Sequence, residues 1–391
     1  MALLPRRNIH DSSKKIVLII GNDRLGDSFV RLPFYEAVRR CFPRENWRIA
    51  VVLTPPIARA LKTMPYFDEI IVSPLLCESH SLFWIFKQKM LICPLLRWAF
   101  KHRVDVLLDL LRLRSLGCDY VRHLTRPVVS MAYSAIENVK LFPMSAAYQL
   151  KHCDRQWTYL MQPKMGRHQF DDLNEILHIV MASPTIKKNA VIADGKSLLL
   201  PVEDMKEMLD ERPSLTVGLN DYVTLVPGAG ATYRQWDLDS FVELVDKMGG
   251  NFVVVGSESE SALGKYILEN AKSNIVNLCG KTTILQLGSV LAKSRVVITN
   301  ETGTATYAAI LGVPTVCILG GGDFGAFFPN PYCPNTVSVY HKEDCFNCGW
   351  KCPKKRDANA VAPCIERITV DEVMNAAKLA ITAVEREKPH A

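Results

Sequence analysis

The chain has 391 residues, of which 48% are hydrophobic and 22% are charged. This length predicts two domains, and the composition excludes a disordered, collagen-like or fibrous protein. The 47 Lys and Arg residues exceed the 40 Asp and Glu residues by only seven, too small an excess for a dedicated nucleic-acid binder, so no nucleic-acid partner is expected.

The first half of the chain alternates short apolar runs with helical patterns. Strands are predicted at 14–21, 47–53, 68–72 and 104–110, and helices at 28–41 and 57–64. Short apolar strands separated by helices are typical of a parallel sheet that is covered on both faces.

The second half repeats the same alternation. Strands are predicted at 223–228, 251–256, 274–280, 295–299 and 313–319, with helices at 237–249, 285–292 and 304–311. We therefore predict an α/β protein with two doubly wound, Rossmann-like domains that face each other across a cleft, at residues 1–210 and 211–369. A final helical stretch within 370–391 is expected to pack back on the N-terminal domain.

The loop after the first strand, residues 21–28, contains Gly26 and Asp27. Ligands of open parallel sheets bind beyond the carboxyl ends of the strands, so Asp27 is a candidate general base. The alternative is that Asp27 only stabilises a helix start, where the helix dipole favours an acidic residue.

Three loops of the second half are rich in glycine and hydroxyl groups: residues 227–236, 300–306 and 320–325. Backbone N–H groups, hydroxyls and a guanidinium at helix starts predict a phosphate pocket. Glu258 follows another strand, where an acidic residue can accept ribose hydroxyls. Each loop read alone could be an ordinary turn. Together they indicate a site for a nucleoside diphosphate.

Three motifs along nearly the whole chain point to one family: DRLGDSFVRLP at 23–33, RQWDLDSF at 234–241 and ETGTATYAAILGVP at 301–314. On these motifs the chain resembles glycosyltransferase family 9, the bacterial heptosyltransferases of lipopolysaccharide core synthesis and their autotransporter-modifying relatives. The resemblance implies the two-domain GT-B fold and an inverting transfer of heptose from ADP-heptose. It implies no cofactor for catalysis.

Residue by residue, the resemblance makes Asp27 the general base and places Arg234 at the family's phosphate-binding Lys. The sequence departs from the family pattern at four positions. It has Arg234 where the family has Lys, Asp237 where it has Pro, Glu301 where it has Asp, and Thr306 where it has His. The predicted substrate-binding residues come from the loops described above: Gly26, Gly228, Gly230, Thr232, Arg234, Glu258, Glu301, Thr302, Gly303, Thr304 and Thr306.

Four cysteines form a separate cluster with the spacing C-x2-C-x3-C-x11-C, in the loop 345–364: Cys345, Cys348, Cys352 and Cys364. Four close thiols predict a structural zinc or iron site. The alternative is four unrelated reduced cysteines. Since no long apolar segment opens the sequence, we expect a cytoplasmic protein, which is consistent with reduced thiols.

The segment 87–126 carries nine Lys and Arg against three Asp, with aromatic residues among them. This pattern favours contact with an anionic glycolipid or the inner membrane surface, so a peripheral location is expected. Solvated helix faces are the alternative. The acceptor is then a glycolipid or a protein hydroxyl, and the donor an ADP-sugar. Two other functions stay open: a GT-B enzyme with another nucleotide sugar, or an inactive, metal-pinned scaffold protein of the same fold.

Overall fold

The computed structural model describes residues 14–74, 89–112, 114, 116–134, 153–162, 164–187, 217–354, 357 and 360–387. Some predictions fall outside these residues. They include Lys87 of the basic segment, the aromatic residues Phe83, Trp84 and Phe86 beside it, and the domain boundary at 210.

The first sheet is parallel throughout its described strands and has the order β3-β2-β1-β4-β5-β6. Its strands are β1 (Lys15–Ile20), β2 (Trp47–Leu53), β3 (Glu69–Val72), β4 (Val106–Asp109), β5 (Val129–Tyr133) and β6 (Tyr159–Met161). The four predicted strands are present, and β5 and β6 were not predicted.

The helices of the first half are α1 (Leu25–Val30), α2 (Leu32–Cys41), α3 (Pro55–Ala60), α4 (Lys89–Lys101), α5 (Leu116–Thr125), α6 (Gln169–Ala182) and α7 (Pro184–Lys187). The single helix predicted at 28–41 is two helices, with Arg31 at the junction. The guanidinium of Arg31 is buried and donates to the carbonyl oxygens of Gly21 and Leu110 at 3.3 and 2.8 Å. Pro33 lies in the first turn of α2, where a missing N–H is tolerated.

The second sheet is also parallel and has the order β12-β11-β10-β7-β8-β9, the same winding as the first. Its strands are β7 (Tyr222–Val226), β8 (Asn251–Val254), β9 (Asn274–Asn277), β10 (Val296–Asn300), β11 (Thr315–Ile318) and β12 (Thr336–Val339). β12 was not predicted. The two sheets confirm the predicted α/β fold with two doubly wound halves.

The helices of the second half are α8 (Leu238–Met248), α9 (Ser261–Asn270), α10 (Ile284–Ala292), α11 (Gly303–Ile310), α12 (Pro363–Glu366) and α13 (Val370–Glu387). Two 3-10 turns, Thr232–Arg234 and Glu258–Glu260, follow β7 and β8. The apolar face of α13 is buried in the core of this half, through Val373, Ala376, Ala377 and Ala380. The predicted packing of this helix on the first domain stays a prediction.

The chain forms two compact units that do not follow the sequence order completely. The N-terminal unit comprises residues 1–24, 31–163 and 172–199, and the C-terminal unit comprises 25–30, 164–171 and 200–391. Helix α1, which carries Asp27, therefore belongs to the C-terminal unit.

Part of the positive charge predicted to form a basic surface at 87–126 is buried in the fold. Arg114 is fully buried and forms ion pairs with Asp154 at 2.5 Å and Asp119 at 3.4 Å. The exposed cations in the described part of this segment include Arg97, Lys101, Arg103 and Arg126. Phe100 beside them is 68% exposed. Among the described residues, no helix has the length and apolarity needed to cross a membrane.

Candidate active site

Asp27, the predicted general base, lies on helix α1, which packs against α11 within the C-terminal unit. The ring of Phe29 stacks on Tyr307 with the centroids 4.0 Å apart. A Cβ placed on Gly303 would lie 2.6 Å from the backbone nitrogen of Gly26, so the two backbones meet at a distance that a side chain would not allow. Asp27 is thereby held beside the start of α11.

The carboxylate of Asp27 has a partner that the sequence did not indicate. Gln169 Nε2 donates to Asp27 Oδ1 at 3.3 Å, across 142 residues of sequence. Gln169 is 4% exposed, and its backbone N–H donates to the carbonyl of Ala326 at 3.0 Å. A buried amide fixed in this way restricts the orientation of the half-buried carboxylate.

His168 anchors the same segment in its neutral form. Burial lowers the pKa of its imidazole to about 4. Nδ1 accepts from the Phe170 N–H at 3.2 Å, so Nε2 carries the hydrogen and donates to the Phe327 carbonyl at 3.1 Å. The Tyr332 ring packs on His168, and its hydroxyl donates to Asp171. These contacts make residues 164–171 a fixed support for Gln169.

The predicted phosphate loop, residues 227–236, is fixed to the end of β10 by Asn300. The fully buried Asn300 donates through Nδ2 to the carbonyls of Pro227 and Gly228 at 2.7 and 3.3 Å. Its Oδ1 accepts from the Trp236 N–H at 3.0 Å. One amide thus connects both ends of the loop to the neighbouring strand. Exposed between these ends are Gly230 and Thr232.

Arg234 is held from two sides. Its Nη2 donates to Glu301 Oε2 at 3.2 Å, and its guanidinium carbon lies 4.3 Å from the centroid of the Trp350 ring. The side chain keeps 22% of its surface exposed. The predicted phosphate-binding cation is therefore oriented but still accessible.

Glu301 is the buried partner of this cation and is 7% exposed. Burial raises the pKa of Glu301 to about 7; Arg234 opposes this increase and the charge of Asp323 adds to it. Oε1 has no hydrogen-bond partner among the described residues. Near neutral pH the carboxyl group is therefore partly protonated, and the charge of Arg234 is only partly neutralised.

The start of α11 carries the remaining predicted hydroxyl groups. Thr302 is the N-cap, and its Oγ1 accepts from the Ala305 N–H at 3.4 Å. Thr304 and Thr306 are both buried. Thr306, at the family's His position, has its Oγ1 3.8 Å from where a Cβ on Gly26 would lie. It therefore fills the contact between α1 and α11.

Glu260 lies against the phosphate loop and comes from the same turn as Glu258, whose predicted contact with the nucleoside stays a prediction. A Cβ on Gly228 would lie 1.8 Å from Glu260 Oε1. Glu260 Oε2 accepts from the backbone N–H and hydroxyl of Ser257 at 2.6 and 2.7 Å. Glu258 is exposed and lies over Gly280. Both carboxylates come from one 3-10 turn, and the sequence could not tell which of them faces the loop.

The four clustered cysteines come near one another without forming a metal-binding geometry. Cys345, Cys348 and Cys352 are half-buried and Cys364 is buried. Burial raises the pKa of Cys348 and Cys364, and the charges of Cys345 and Cys352 add to the effect. No group of three or more Cys, His, Asp or Glu within the described ranges is placed to hold a metal ion. The metal site stays a prediction.

Comparison with known proteins identifies one family in this region. Residues 195–355 match the family model of glycosyltransferase family 9 (heptosyltransferase). The matched range contains the 227–236 and 300–306 loops and three of the four clustered cysteines. It confirms the resemblance to this family and contains two of the three motifs, those at 234–241 and 301–314. No curated protein sequence matches the chain.

Solved structures share the fold over nearly the whole chain. A family 9 glycosyl transferase from Veillonella parvula is 17% identical with a TM-score of 0.64, over 94% of this chain and 97% of that one. ADP-heptose lipopolysaccharide heptosyltransferase II of E. coli is 17% identical with a TM-score of 0.64, over 94% and 99%. The E. coli heptosyltransferase WaaC, solved with ADP, is 12% identical with a TM-score of 0.59, over 95% and 99%. The likeness confirms the predicted GT-B fold.

Proposed function

We propose that this chain, whose residues 195–355 match the family model of glycosyltransferase family 9, transfers a heptose, with inversion, from ADP-heptose to an acceptor hydroxyl. The acceptor is a lipopolysaccharide-core sugar or a protein side chain. The N-terminal unit binds the acceptor and the C-terminal unit binds the donor.

One observation carries this proposal: the carboxylate of Asp27, the guanidinium of Arg234 and the amino end of α11 lie in the same compact unit. Asp27 lies on a helix whose first turn touches Gly303. The amino end of α11 and Arg234 provide positive charge at this place. A base next to a diphosphate pocket is what an inverting transfer requires.

In the proposed reaction Asp27 removes the proton from the acceptor hydroxyl. The acceptor oxygen attacks the anomeric carbon from the face opposite the diphosphate, and a new carbon–oxygen bond forms. The bond from this carbon to the phosphate oxygen breaks, and its electron pair leaves with ADP. Arg234 and the N–H groups at the start of α11 stabilise the charge that develops on the leaving group.

The choice of ADP as the nucleotide follows the relatives, because WaaC of E. coli was solved with ADP and with ADP-2-deoxy-2-fluoro heptose. Glu260 and Glu258 are the candidate contacts for the nucleoside. The departures at Arg234, Glu301 and Thr306 favour a second candidate, a GT-B enzyme that uses another nucleotide sugar. An inactive scaffold protein would bind a nucleotide without turnover.

The test compares the wild-type protein with Asp27→Asn, and Asp371→Asn on the exposed end of α13 serves as the matched control. We expect Asp27→Asn to lower transfer from ADP-heptose by about 100- to 10,000-fold, as for loss of a general base. ADP affinity, measured by calorimetry, should stay within about threefold of wild type, well below a tenfold change. A preference for UDP- or GDP-sugars would support the second candidate, and nucleotide binding without any turnover would support the scaffold.

The proposal for the cysteine loop is a structural zinc or iron held by Cys345, Cys348, Cys352 and Cys364. Thiolates are the ligands that both metals accept in structural sites. Metal analysis of the purified protein should give about one equivalent, as for a single four-thiolate site. A chelator should lower the melting temperature without affecting a variant with all four cysteines replaced. An equal effect of the chelator on both proteins would contradict the proposal.

We further propose that the protein is cytoplasmic and touches the inner membrane surface through exposed cations of the basic segment. The exposed Phe100 and the exposed cations Arg97 and Lys101 near it in the sequence support this proposal, because a large apolar residue among cations suits an anionic lipid surface.

A further inference from the structure

The segment between Cys345 and Cys352 lies on a run of three glycines that follows β11. The N–H groups of Asn347 and Gly349 donate to the carbonyls of Gly321 and Gly322 at 2.6 and 2.9 Å. Trp350, two residues after Cys348, has a φ of 62°, in the left-handed region that few residues other than glycine adopt. The loop therefore presents one large ring in a fixed position.

The ring of Trp350 occupies space that only glycine leaves open. A Cβ on Gly320 or Gly322 would lie 2.6 or 2.2 Å from ring atoms. Trp350 Nε1 donates to Asp323 Oδ2 at 2.9 Å, and the Tyr233 ring lies 5.9 Å away. The indole is thus held at its nitrogen and along its edge.

The face of the same ring lies under Arg234. The guanidinium carbon is 4.3 Å from the ring centroid, within the range of a cation–π contact. Glu301 holds the same guanidinium through a hydrogen bond to Nη2. A planar guanidinium can stack on an aromatic ring while its edge donates to a phosphate, and a Lys ammonium lacks that planar geometry. The departure from the family's Lys at this position therefore matches the presence of the indole.

We propose that Trp350 is a positioning residue for the donor diphosphate: its indole, presented by the cysteine loop, holds the Arg234 guanidinium in the orientation that binds phosphate. This inference rests on the proposed function in one respect, which is that Arg234 contacts the diphosphate. It goes further in giving the cysteine loop a role in donor binding.

The experiment measures the dissociation constants of ADP and adenosine by calorimetry for wild type, Trp350→Leu and Trp350→Phe. We expect Trp350→Leu to weaken ADP about 2- to 30-fold, the range of a cation–π contact converted to affinity. Adenosine, which lacks phosphate, should bind unchanged. Trp350→Phe keeps an aromatic face and should recover most of the loss. The donor KM should rise in Trp350→Leu while the acceptor KM stays constant.

A double-mutant cycle repeats the ADP measurement in the Arg234→Ala variant, where adding Trp350→Leu should cause no further loss of ADP affinity. An equal loss of adenosine binding, or a loss that persists without Arg234, would overturn the inference and make Trp350 a packing residue. If Trp350→Leu does not fold, Trp350→Met, which is also large and apolar but has no aromatic face, gives the same coupling measurement with Arg234→Ala. The proposed function fails separately, when the wild-type protein binds no ADP or when Arg234→Ala leaves ADP binding intact.

Discussion

Replacing Glu301 by Gln should make the stability of the protein less dependent on pH. The folded state raises the pKa of Glu301 from its ordinary value near 4.5 to about 7, mainly by burial. The folded protein therefore keeps this proton at a pH where the unfolded chain has lost it. Its contribution favours folding at low pH and declines as the pH rises from about 4.5 to about 7.

The size of the effect follows from the shift. A pKa difference of about 2.5 units corresponds to about 3 kcal/mol over the full titration, at 1.36 kcal/mol per unit. Between about pH 5 and about pH 8, linkage gives a loss of about 2.5 kcal/mol from this group alone. Because Glu301 is buried, solvent screening reduces this value little.

The assay is urea unfolding of wild type and Glu301→Gln at several pH values in this interval, followed by tryptophan fluorescence. Gln keeps the size of the side chain and an oxygen that can accept from Arg234. The variant should gain about 2.5 kcal/mol relative to wild type on going from about pH 5 to about pH 8. A difference between the two proteins that stays constant over this interval would refute a raised pKa at Glu301.

Two further predictions concern the position of Asp27. Gln169→Leu removes the donor to its carboxylate and should lower kcat about 3- to 10-fold, the value of one hydrogen bond, with the donor KM unchanged in steady-state kinetics; an unchanged kcat would show that the contact has no role in turnover. Gly303→Ala places a methyl group 2.6 Å from the Gly26 nitrogen and should displace α1, costing about 1 to 3 kcal/mol of unfolding free energy and at least about tenfold in kcat. Wild-type turnover in Gly303→Ala would mean that the approach of the two helices does not set the geometry of the base.

Most of the fold could be predicted because buried parallel strands are continuous apolar runs. Three strands were missed, and β5 among them is buried along its whole length but is interrupted by Ser130. The other two lack the apolar pattern. β12 is half-exposed along its whole length, and β6 has only three residues. The split of the helix at Arg31 depends on carbonyl oxygens from two distant strand ends. No local pattern records such contacts.

The residues of the candidate site also fall into two groups, those that the sequence indicated and those that it did not. Asp27 and Arg234 both follow the end of a strand along the chain, so their positions in the sequence already indicated a role. Gln169, Glu260 and Trp350 contact residues that are far away in the sequence. Only the folded chain brings these pairs together, so sequence periodicity and motif spacing carry no signal for them.

Helix α1 comes from the N-terminal half of the sequence but belongs to the C-terminal unit. The position of Asp27 is therefore separated from the rest of the N-terminal half. In the proposed reaction, the distance from Asp27 to the donor diphosphate depends on the close contact between Gly26 and Gly303, which lies within the C-terminal unit. If the N-terminal unit binds the acceptor as proposed, changes in that unit can alter which molecule is glycosylated while this distance stays the same. A protein organised in this way can evolve to use new acceptors while its catalytic residues keep their positions.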